Sequence, residues 1–128
     1  MATSPLYVGT IKSAQVQIAT ANTARDGTGT VSAALFTVGA NGSRVDDLRI
    51  VAAGTTTAGV VRMFIHDGTN FRLLDEFLVT AVTPSATVPV WQLQLFNLGI
   101  VLQNGWSLRF STHNAESFNV VMTRGGDI

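Results

Sequence analysis

The sequence predicts an all-β protein, an antiparallel two-sheet sandwich of about eight strands joined in a jelly-roll or Greek-key manner. Three observations carry that expectation. Apolar and polar residues alternate along one short segment after another, the period of a half-buried strand. Turn signals rich in Gly, Asn, Asp and Pro separate those segments at the spacing of a sandwich or barrel. Helix formers such as Glu and Lys are scarce while Val and Thr abound, as strands prefer.

Taken in order, residues 1–13 read as an N-terminal arm. Leu6 and Tyr7 are its apolar residues outside any periodic element, and they are candidates to dock on a neighbour. Residues 14–124 are expected to form one sandwich domain. Ala14 to Thr20 sets Val16 and Ile18 against Gln15 and Gln17, and Asn22 to Gly29 is a polar loop. Thr30 to Val38 reads as the next strand, with Leu35 and Phe36 its large residues. After a turn at Gly39 to Gly42, Arg44 to Ala53 turns Leu48 and Ile50 inward and Asp47 and Arg49 outward.

The stretch from Val60 to Leu74 reads as a hairpin, because Asp67-Gly68 supplies a backbone able to reverse tightly. The chain returns as Phe71 to Val79. By simple alternation one phase of the hairpin holds Met63, Ile65, Phe71, Leu73 and Phe77, and the other holds Phe64, Leu74 and Leu78. A break at Thr83 to Ala86 precedes a long strand, Thr87 to Asn97. Trp106, Leu108 and Phe110, then Phe118, Val120 and Met122, are the inward faces of the last two strands, and residues 125–128 read as a polar C-terminal tail. The expected core is Val16, Ile18, Leu48, Ile50, Met63, Ile65, Trp91, Leu93, Trp106, Leu108, Phe110, Phe118 and Val120.

Composition bounds the function. The chain has 128 residues, of which 46% are hydrophobic, so a packed core is expected and disorder is not. Only 12% are charged, about half the usual share, which suits a surface that spends its life against other proteins. The formal net charge is zero, so no basic face announces nucleic acid. Seven of the eight cationic residues are Arg, the cation favoured at interfaces. With no cysteine there is no disulfide framework or thiolate metal site. No stretch has the length of a transmembrane helix, and the first residues lack a signal-peptide pattern, so synthesis and assembly in a cytosol are expected.

No catalytic, metal or cofactor residues are assigned. His66 and His113 lie near Asp67, Ser111 and Glu116, but a triad is a geometry, not a run of letters. Asp26-Gly27-Thr28-Gly29 lacks the repeated acids of a calcium loop, and no glycine pattern matches a phosphate cradle. A sugar-binding platform would use Trp91, Trp106 and Tyr7, yet both tryptophans are in phase with apolar faces. Two readings stand for the outward arginines Arg49, Arg62, Arg72 and Arg109: cross-strand ion pairs or a subunit interface. Both phases of the hairpin are apolar, so one needs cover from another protein. The candidate interface is therefore Leu6, Tyr7, Arg62, Phe64, Arg72, Leu74 and Leu78.

Four stretches, Ala21 to Thr30, Leu35 to Val45, Gly54 to Asn70 and Leu108 to Val120, resemble small structural proteins of tailed bacteriophages. The resemblance rests on turn and strand signatures. It implies a non-enzymatic virion component, first a capsid decoration (cement) protein and next a tail or head-fibre module. It also implies self-association as a homotrimer, the major capsid protein or another virion protein as partner, and assembly in the host cytoplasm. A carbohydrate-binding sandwich is the remaining alternative.

Overall fold

Period-two alternation is realised along most of the chain. A computed structural model, which describes residues 8–128, contains nine strands and, among the described residues, no helix. They are β1 Thr10–Ile11, β2 Ala14–Ile18, β3 Ser43–Ala52, β4 Gly59–His66, β5 Phe71–Val79, β6 Gln92–Leu95, β7 Ile100–Leu102, β8 Ser107–Thr112 and β9 Phe118–Asp127.

The strands form two antiparallel sheets of a sandwich. In the larger, β9 lies between β3 and the pair β1 and β2, and β3 carries β6 and β7 on its far side. The smaller has the order β5-β4-β8. Inward rows of the larger sheet align Val16, Val120, Ile50 and Leu93, then Ile18, Phe118 and Ala52. Facing them in the smaller sheet are Val61, Met63, Leu108 and Phe110. Of the expected core, Ile18, Leu48, Ile50, Met63, Leu108, Phe110, Phe118 and Val120 are buried, and Val16, Ile65, Trp91, Leu93 and Trp106 pack partly buried against them. Trp91 meets Phe118 edge to face, ring centroids 5.7 Å apart.

Three expectations are corrected. Thr30 to Val38 is no strand: Leu35 and Val38 both turn inward although three residues apart, which a period of two forbids. The segment instead runs beside the outer edge of β8. The amides of Asn22, Ser32 and Leu35 donate to the carbonyls of Thr112, Phe110 and Leu108 at 2.8, 2.8 and 2.9 Å. The long strand expected from Thr87 to Asn97 shrinks to Gln92–Leu95: Pro89 has no N–H for a ladder on one side, and Asn97 turns to a φ of 54° on the other.

The third correction concerns the termini. Residues 125–128 are not a tail. Gly125, Gly126 and Asp127 continue β9 between β1 and β3. Likewise Thr10 and Ile11, expected within the arm, form β1. At Gly126 the N-terminal segment crosses so closely that a Cβ would collide with the Thr10 carbonyl oxygen and sit 2.7 Å from a Val8 methyl. Only glycine lets the chain pass there. Asp127 then ties the crossing down, accepting from Ser43 Oγ at 2.6 Å and pairing with Lys12 at 3.1 Å.

Candidate assembly surface

A bulge decides which side chains stand on the outer face of the smaller sheet. β5 pairs with β4 in register from Gly59↔Val79 to Met63↔Asp75, then slips so that Phe64 faces Leu73. Leu74 is the extra residue. Beyond it the phase of β5 is inverted. Phe71 and Leu73, expected to point inward with Met63, therefore join Phe64 and His66 on the outer face. Phe77 points inward beside Val61.

The middle of this outer face is covered by the chain itself. Arg62 is 1% exposed, and Phe64 is wholly buried. Both were expected at an interface between chains; both are instead buried within this one. Over Arg62 and Phe71 lies the loop that starts at Asn22. Its side chain closes the loop on itself, donating to the carbonyls of Thr28 and Thr30 at 2.9 and 2.8 Å. The loop tip lands on Phe71 at Gly27, whose φ of 89° suits glycine and whose missing Cβ makes room for the ring. Phe64 meets Phe71 edge to face at 6.2 Å.

A buried guanidinium needs acceptors on every side, and Arg62 has three. Its Nε donates to Glu76 Oε2 at 2.9 Å and its Nη1 to the Asn22 carbonyl at 2.8 Å. Its Nη2 lies 3.3 Å from His113 Nδ1, which must accept because a guanidinium only donates. Arg25 reaches down from the loop to the same Glu76 oxygen at 2.8 Å. The Arg25 guanidinium first, and then that of Arg62, hold the Glu76 carboxyl below the usual carboxylate range. One carboxylate thus binds two arginines and pins the loop.

Outside this covered centre, apolar surface remains. Leu73 is 37% exposed, Leu74 42% and Leu78 71%. Arg72 is also exposed, at the edge of β5. The strand has no neighbour on that edge among the described residues. Of the candidate interface, then, Arg72, Leu74 and Leu78 are exposed along β5, Arg62 and Phe64 are not, and Leu6 and Tyr7 lie outside the described residues. Leu73 was missed because alternation alone cannot reveal an inserted residue.

The other candidates are dispersed. His66 ends β4 and accepts from the Gly68 amide at 3.3 Å, while His113 sits at the opposite end beside Val60 and Arg62. Glu116 accepts from the Thr57 amide at 2.8 Å and ties the turn before β9 to the loop before β4. The two histidines are thus held apart by the length of β4. Comparison with protein-family models, curated proteins and solved structures finds no match to this chain.

Proposed function

We propose that this chain is a non-enzymatic structural subunit of a phage particle, a capsid decoration protein that attaches by side-chain contacts rather than by chemistry. The observation that carries this reading is the open edge of β5. Three exposed leucines lie along nine residues of a strand that has no partner on that side among the described residues. Clustered apolar side chains beside an unpaired strand mark a surface made to be covered. The low charge of the chain and its phage-like turn signatures support the same reading.

The test is to locate the chain in purified particles by density. A position on the head lattice supports decoration, and a position in the tail moves the assignment to the tail or head-fibre module. A chain absent from particles, and unable to bind emptied heads, refutes the proposal. Leu78→Asp should weaken assembly through this edge while leaving the fold unchanged, since Leu78 is mostly in water in the isolated chain.

A further inference from the structure

The bulge in β5 also selects what can pair with its open edge. The Val60 carbonyl accepts from the His113 amide at 3.0 Å, so Val60 and, by alternation, Arg62, Phe64 and His66 turn their backbone groups to β8. The intervening residues of β4 bond to β5. On β5 this leaves the backbone groups of Phe71, Leu73, Glu76 and Leu78 facing the open edge. Two of them are stoppered by neighbouring side chains. Arg72 Nη1 donates to the Phe71 carbonyl at 2.9 Å, and the Glu76 amide donates to Asp75 Oδ1 at 2.8 Å.

These four positions follow one another at gaps of two, three and two residues. A regular strand, with gaps of two throughout, falls out of step at Leu74. The same pattern read backwards is again two, three, two. An antiparallel strand with the same bulge keeps all four residues in register, and this chain carries one.

We propose, building on the assembly reading above, that the partner of β5 is the β5 of a second copy, related by a two-fold axis between Leu74 and Asp75. Phe71 then stands opposite Leu78 of the second copy, and Leu73 opposite Glu76, each pair exchanging backbone hydrogen bonds. Leu78 gains an aromatic neighbour. Arg72 and Asp75, released from their stoppering contacts, become diagonal neighbours across the axis on the inner face, within reach for a long side chain. Each axis creates two such pairs of opposite charge. Zero net charge means the copies do not repel. The contact is isologous, so it builds even-numbered assemblies, unlike the homotrimer that the phage resemblance implies.

Sedimentation equilibrium at tens of micromolar tests the pairing. Wild type is expected as an even-numbered species. Arg72→Asp alone sets Asp against Asp across the axis and Asp75→Arg alone sets Arg against Arg, and each should weaken association by roughly tenfold or more. Mixing the two variants places opposite charges at both contacts and should restore assembly. Both side chains are exposed, so the fold is expected to persist, with circular dichroism as the check. The chain has no cysteine, so Phe71→Cys and Leu78→Cys give a clean cross-link test: oxidation should join the mixture and neither variant alone. An assembly unmoved by either charge reversal, or a trimer, overturns the pairing and leaves the assembly reading standing. A monomer that still binds particles does the same. A monomer that binds nothing overturns both.

Discussion

Glu76→Gln isolates the cost of stranding a buried cation. Arg62 is 1% exposed, and the Glu76 carboxylate is its only anionic partner among the described residues. The amide is nearly the same size and still accepts a hydrogen bond, so shape is kept and charge is lost. Breaking a buried ion pair by removing one partner costs about 3–5 kcal/mol. Glu76 keeps a side-chain exposure of 29%, so water softens the loss, and about 2–3 kcal/mol is expected. For a domain this size that lowers Tm by roughly 5–12 °C. Urea unfolding followed by fluorescence of the partly buried Trp91 and Trp106 measures it. Arg25→Ala removes the other partner of Glu76, which is 61% exposed, and should cost no more than about 1 kcal/mol. Changing Arg62→Met and Glu76→Leu together should cost less than Glu76→Gln, with the residual loss coming from the Asn22 carbonyl and His113 Nδ1 left without their donor. A Glu76→Gln protein within about 0.5 kcal/mol of wild type would refute the view that Arg62 depends on that charge.

Phe64→Ala should cost about 3–5 kcal/mol, because the ring is wholly buried and meets Phe71, whereas Leu78→Asp should stay within about 0.5 kcal/mol of wild type in the monomer; chemical denaturation separates the two. Leu108→Ala should cost about 2–5 kcal/mol in the same assay. Gly126→Ala should release β1, seen as faster amide exchange at residues 9–11 with the rest of the larger sheet protected. Acid should destabilise the fold. Glu76, held low by Arg25, Asp127, held low by Ser43 and Lys12, and Asp47, held low by Arg124, all have depressed folded-state values. Their stabilisation is complete above the unfolded carboxylate range and is lost as pH falls through the folded values, so urea midpoints should decline below roughly pH 5 and Glu76→Gln should flatten that decline.

Much of the sandwich is legible in the sequence because its strands obey one local rule. Leu48 and Ile50, or Leu108 and Phe110, need only alternate to declare the face they bury. What was not legible depends on counting or on distance. A single inserted residue at Leu74 exchanges the faces of Phe71 and Leu73, and no composition signal marks it. Arg62 reads as a surface residue because arginine usually is one. Its burial comes from an Asn22 carbonyl, a Glu76 carboxylate and a His113 nitrogen that only the tertiary fold assembles. The glycines at 125 and 126 looked like the composition of a loose end, whereas at each the backbone of a neighbouring strand, β3 at Gly125 and β1 at Gly126, comes too close for a side chain.

The segment that runs beside β8 has a bearing on valence. It occupies one margin of the smaller sheet with hydrogen bonds from Asn22, Ser32 and Leu35, while among the described residues nothing covers the other margin, at β5. A sheet open on both margins can add copies without limit and grow into a fibre. With one margin filled from within, only the other accepts an addition, after which growth stops. The irregularity of residues 22–35 serves that end: with no strand of its own, the segment satisfies β8 without offering a fresh ladder to the next molecule. The fold thereby makes its smaller sheet univalent, so that joining two copies terminates this sheet rather than extending it.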